Sequence, residues 1–224
     1  MDALNQDARQ RWEHNPVALN DVQSRLVHSL QQDGIAFTSL DELFPQDSGY
    51  LAQLQASVEA MRDRVVQNRK KAFLIDFYGS DRRLDLDHAL TKYSFRPELL
   101  DTVNAYFKLW SRHYYFYLGE TLPVEPSAVP VGSQAWHRDP EDRQTCKVFL
   151  YLSDVHDAGA GPFMYLRGSQ QGGPYRKQYP QKFPQGSYPP EGAVERLADP
   201  KDILTCLGRA GTIVLADTSG LHKG

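Results

Sequence analysis

The chain has 224 residues, 41% of them apolar and 11% aromatic, with a formal net charge of -3. That length and apolar content suit a single domain, residues 1–224, with a sizeable core, and exclude a disordered chain. The near-neutral balance gives no field for nucleic acid or a membrane surface, and no run approaches the length of a membrane span.

Two cysteines, Cys146 and Cys206, lie outside any CxxC and make no disulfide framework. The N-terminus, MDALNQDARQRWEHNP, is polar and lacks the apolar centre of a signal peptide. Both features point to a reducing cytoplasm.

In chain order, Val17, Leu19, Val22, Leu26, Val27 and Leu30 recur at helical spacing until Asp33-Gly34 stops the pattern. IAFTSL (35–40) reads as a short strand. A second amphipathic helix spans 49–67, with Leu51, Leu54, Val58, Met61 and Val65 on one stripe, and the basic run 61–71 reads as its solvated face. KAFLIDFYG (71–79) reads as a strand. A third helix covers 96–110, with Pro97 in its first turn.

From Ser111 the chain becomes strand-like. The aromatic run RHYYFYLGE (112–120) is followed by candidate strands at 129–139, 145–154, 161–169 and 210–220, separated by Gly, Pro and Asp. Helix-rich sequence to about residue 110, then β-rich sequence from about 111, implies an α+β chain whose second half is a sandwich or barrel. The segment 170–192, dense in Gly, Pro, Gln and Tyr, fits no element and is a candidate lid or a floppy insertion.

Chemistry concentrates in SQAWHRDPEDRQTCKVFLYLSD (133–154). On a strand, residues i and i+2 share a face, so His137 and Asp139 aim at one point; Pro140 keeps Asp139 extended. An imidazole and a carboxylate supply two donors of a 2-His-1-carboxylate set, which holds Fe(II) on one face and leaves positions open. The third donor must come from far along the chain. His222, after the β-branched run AGTIVLADTSGL, is the best candidate. His14, His28 and His88 fall in or beside helices, and His113 opens the aromatic run. A rival pair, Asp154 and His156, has the same spacing but reads as a polar turn.

Around the pair, Gln134 and Lys147 sit on the flanking strands as candidate cofactor contacts, Trp136 should point away into packing, and Arg167 could meet an anion. If the site holds a metal, binding should weaken as His137 and His222 protonate near or below about pH 6.5.

QAWHRDPEDRQTCKVFLYLSDV, GPFMYLRGSQQGG and GTIVLADTSGLHKG together resemble the phytanoyl-CoA dioxygenase-like branch of Fe(II)/2-oxoglutarate-dependent oxygenases, over residues 129–224. The resemblance implies a double-stranded β-helix, a jelly-roll-like barrel, with flanking N-terminal helices. It implies iron on His137, Asp139 and His222, the last two also catalytic with the first. The reaction would couple decarboxylation of 2-oxoglutarate, with O2, to hydroxylation or related C–H oxidation of a small molecule. Related halogenases lack the carboxylate, so Asp139 favours oxygenation.

Family members carry an arginine about ten residues beyond the distal histidine to pair with 2-oxoglutarate. This chain stops at Gly224, two residues after His222. The expectation is a C-terminal tail absent from the chain, with its last strands. The alternative expectation is a catalytically silent β-barrel that binds a small molecule or partner. A cupin-like isomerase or dioxygenase ranks last, because HRDPED lacks the second histidine of an HxH.

Overall fold

The computed structural model describes residues 5–67, 73–78, 85–122 and 130–224. In chain order the elements are α1 (Gln6–His14), α2 (Asp21–Asp33), β1 (Ile35–Ser39), α3 (Leu40–Leu43), α4 (Tyr50–Glu59), β2 (Val66–Gln67), β3 (Leu74–Asp76), α5 (Ala89–Ser94), α6 (Pro97–Phe107), β4 (Gly119–Thr121), β5 (Cys146–Leu150), β6 (Met164–Leu166), α7 (Ala193–Leu197), β7 (Ile203–Thr205), β8 (Thr212–Asp217) and β9 (His222–Lys223). Among the described residues the strands form three antiparallel sheets, ordered β1-β8-β5, β7-β6-β9 and β2-β3-β4.

Strand β8 is the central element. Its TIVLAD sequence is buried on both faces, as a β-branched, uninterrupted apolar run requires. Side chains alternate along it. Ile213 and Leu215 face a core built with Leu26 and Leu30 of α2 and Leu99 and Tyr106 of α6. Val214 and Ala216 face the other way, against Phe163, Tyr165 and Cys206 of the β7-β6-β9 side. The first two sheets thus lie face to face, and helices cover the outside of one.

Helix α2 is set by its ends. Asn20 accepts from the Gln23 amide at 2.9 Å while Gln23 Oε1 accepts from the Asn20 amide at 3.0 Å, a reciprocal cap that satisfies two orphan donors. Gly34 closes the helix at φ +77°, a conformation that side chains resist. Its carbonyl then accepts from the Asp217 amide at 2.8 Å. The helix stop therefore fixes the end of β8, where the site begins.

The helices over 15–34 and 96–110 form with trimmed ends. The helix expected over 49–67 stops at Glu59, followed by a 3₁₀ turn at Arg62–Arg64 and then β2. Residues 68–71 of the basic run, and residues 71–72 and 79 of the strand expected there, lie outside the described residues. The aromatic run 112–120 is not a strand: only Gly119–Thr121 pairs, because Tyr114, Tyr115 and Tyr117 face solvent instead of a second layer. Cys146 and Cys206 are free thiols.

Candidate metal centre

The site begins as a backbone pairing. His137 donates its amide to the His222 carbonyl at 2.8 Å and accepts from the His222 amide at 3.0 Å, an isolated antiparallel bridge. Directly opposed residues of such a pair point to the same face. The two imidazoles consequently lie 4.2 Å apart between centroids. Asp139, two residues on, returns to that face, its amide donating to Thr218 O at 3.0 Å. All three side chains are buried, and their ligand atoms lie within 4.8 Å of one another.

The tautomers follow from hydrogen bonding. His137 Nδ1 lies 2.9 Å from Ala135 O, and His222 Nδ1 lies 3.0 Å from Gly220 O. A carbonyl only accepts, so each Nδ1 carries the proton and each Nε2 presents a lone pair. Those two nitrogens face the Asp139 carboxylate, His137 Nε2 at 3.6 Å from Oδ1 and His222 Nε2 at 3.6 Å from Oδ2. Two lone pairs and an anion in a buried pocket repel unless a cation sits among them. The donor set, two imidazole nitrogens and one carboxylate oxygen, fits a divalent metal.

One cation is already present. Lys147 Nζ, reaching in from β5, stands 2.5 Å from Asp139 Oδ2. Burial alone would raise the Asp139 carboxyl, but the two imidazoles facing it and the Lys147 ammonium beside it hold it far below the usual carboxylate range. Burial would lower Lys147, and Asp139 more than offsets it. Burial pushes His222 down to about 4 against the opposing pull of Asp139. The metal-free His222 imidazole therefore stays neutral well below its ordinary range.

Trp136 points away, into a cluster with Leu166, Val194 and Leu221, and its indole donates to Glu195 Oε1 at 2.7 Å. Gln134 is not on a strand. It ends a 3₁₀ turn, Gly132–Gln134, and its Oε1 accepts the Val131 amide at 3.0 Å. Arg167 is held away from the centre by the Lys201 carbonyl at 2.8 Å and by Asp202 at 3.2 Å. In the rival pair, His156 Nε2 and Asp154 Oδ2 face solvent 3.3 Å apart.

Three residues beside the centre have no signal in the sequence. Tyr188 stacks on His137, centroids 5.7 Å apart and planes at 14°. Gln181 donates to Asp139 O at 2.7 Å and Asp142 O at 2.9 Å. Arg138, between His137 and Asp139, is wholly buried and turned to the opposite face. All three contacts involve segment 170–192, which is thus tied to the centre.

No protein-family model matches the sequence, and no curated protein matches it. Solved structures do share the fold. The epimerase SnoN, in complex with Fe3+, alpha ketoglutarate and nogalamycin RO, superposes with a TM-score of 0.56 at 14% identity, over 89% of this chain and 75% of that one. EctD from S. alaskensis, with 2-oxoglutarate and 5-hydroxyectoine, gives 0.55 at 15% identity, over 93% and 72%. EvdO2 from Micromonospora carbonacea var. aurantiaca gives 0.52 at 15%, over 92% and 84%. The likeness is one of fold: this chain is built as those proteins are built.

Proposed function

We propose that the protein is a mononuclear non-haem iron oxygenase, a single domain in which decarboxylation of 2-oxoglutarate is coupled to hydroxylation, or a related C–H oxidation, of a small molecule. The observation that carries this reading is the meeting of His137 Nε2, His222 Nε2 and the Asp139 carboxylate in one buried group. Two neighbours in fold support it, one structure holding Fe3+ with alpha ketoglutarate and another holding bound Fe. The facing sheets are read as the core of a double-stranded β-helix, and the motifs resemble those of the phytanoyl-CoA dioxygenase-like branch. Free Cys146 and Cys206, with no helix among the described residues long and apolar enough to cross a membrane, support a cytoplasmic setting.

In this reading His137, Asp139 and His222 hold Fe(II), which supplies the redox chemistry that consumes O2 and the co-substrate. The balance is 2-oxoglutarate, O2 and R–H giving succinate, carbon dioxide and R–OH. The protein's part is positional. Ala135 O and Gly220 O keep the Nδ1 protons in place, so both Nε2 lone pairs stay aimed inward. A metal cation would take over as counter-charge to Asp139 and release the Lys147 ammonium, which we assign to a carboxylate of 2-oxoglutarate. For Gln134 the same role rests only on its nearness in sequence to His137. The Asp139 carboxylate occupies the place a halide would need, which favours oxygenation; native protein given chloride should yield no chlorinated product.

The test is succinate formation from 2-oxoglutarate under O2. Wild-type protein should form succinate only with Fe(II), and His137→Ala should form none. Turnover that survives in that variant contradicts the reading, and iron binding without any consumption of 2-oxoglutarate favours a silent binding barrel.

A further inference from the structure

The residue between two ligands of a strand points away from them, and here that residue is a fully buried arginine. An arginine has five N–H donors in a fixed fork. Arg138 commits all of them to backbone carbonyls: Nε to Tyr179 at 2.8 Å, Nη1 to Ser169 and Ser219 at 2.6 Å each, and Nη2 to Tyr175 at 3.2 Å and Gln178 at 3.0 Å. Its own amide donates to Ser187 O at 3.0 Å.

The partners belong to two segments. Ser219 lies in the turn between β8 and His222. Ser169, Tyr175, Gln178, Tyr179 and Ser187 belong to the strap that follows β6. Tyr179 stands at φ +46°, a left-handed conformation that a tyrosine adopts only when its surroundings hold it. Its carbonyl accepts from both Arg138 Nε and Ser187 Oγ, at 2.8 and 3.1 Å. Beyond it, Gln181 grips the carbonyl of Asp139 and Tyr188 lies on the His137 ring.

We propose that Arg138 is a positioning residue that couples the order of the 168–188 strap to the metal centre, holding His137, Asp139 and the His222 turn in register through one guanidinium. This rests on the metal-centre reading above. Coupling of this kind is reciprocal: metal should steady the strap, and loss of the clamp should weaken the metal. Lysine cannot replace the fork, because three donors on one point charge cannot reach five carbonyls on two segments.

The test uses the whole chain and Co(II) as probe. In wild-type protein, Co(II) should slow amide hydrogen exchange in the strap, at Tyr175, Gln178 and Gly186, relative to α2. In Arg138→Lys, Co(II) affinity should fall roughly 10- to 100-fold, the range for groups that orient metal ligands. The visible Co(II) band should broaden or shift, and the strap should lose its response to metal. Equal affinity and band shape in a folded Arg138→Lys protein overturn the proposal. If that variant does not fold, the wild-type exchange decides: strap amides that ignore bound Co(II) overturn it. Wild-type protein that binds no Co(II) at all sinks the metal-centre reading instead, so the two failures are distinct.

Discussion

His137 with Asp139, and Asp154 with His156, are the same two residue types at the same spacing on either side of one strand. In the first pair both side chains are buried, the backbone is locked in register with His222, and two carbonyls fix the imidazole tautomers. In the second the imidazole is 71% exposed, and Asp154 is partly engaged by the Ala210 amide at 2.7 Å. The exposed pair keeps its water and its rotamers, so the contact between its side chains is worth little. The buried pair has lost both, and that loss is offset only if something charged completes it. Spacing supplies the donor types; topology brings the buried ones together.

The contrast can be broken by mutation, and the proposed ligands should give the largest effect. Asp139→Ala and His222→Ala should each weaken Co(II) binding more than about 100-fold, beyond what groups behind a ligand contribute, whereas Asp154→Ala and His156→Ala should leave the isotherm unchanged. A comparable loss in His156→Ala would erase the distinction. Next in size, Lys147→Met removes the ammonium beside a buried carboxylate. Metal-free protein should lose about 3 kcal/mol in denaturant unfolding, and bound Co(II) should restore much of it.

A pH series sharpens the same contrast. Because burial holds the folded His222 at about 4 against an ordinary 6.5, the unfolded chain takes up a proton that the folded chain refuses. Stability of the metal-free protein should therefore fall as pH drops from about 6.5 towards 4, and be level above that window. The slope should flatten in His222→Asn and persist in His156→Asn. The smallest expected change is at Tyr188, whose stacking on His137 is of a kind worth about 0.5–1.5 kcal/mol. Tyr188→Ala should weaken Co(II) binding only several-fold.

The sequence disclosed what periodicity and donor chemistry can disclose. Helix α2 with its Gly34 stop, α6 with Pro97 at its start, and the apolar strands β5 and β8 all follow from spacing. The meeting of His137, Asp139 and His222 in one buried group was expected from donor type and strand position. The aromatic run 112–120 misled because tyrosine suits a strand and an exposed loop alike, and only the partner strand decides. Gln134 misled because a 3₁₀ turn interrupted the strand it was assigned to. Arg138 stayed hidden because the carbonyls that satisfy it are brought together only by the fold. The same holds for segment 170–192, whose composition reads as a loop and whose anchors lie at residues remote in sequence.

The most direct measurement is an anomalous difference map from a crystal of the wild-type chain soaked anaerobically with Fe(II). One strong peak within bonding distance of His137 Nε2, His222 Nε2 and an Asp139 oxygen, with Lys147 Nζ displaced from Oδ2, is the predicted result. A map with iron only at surface groups such as Asp154 and His156, and the buried trio still closed around Lys147, would contradict it.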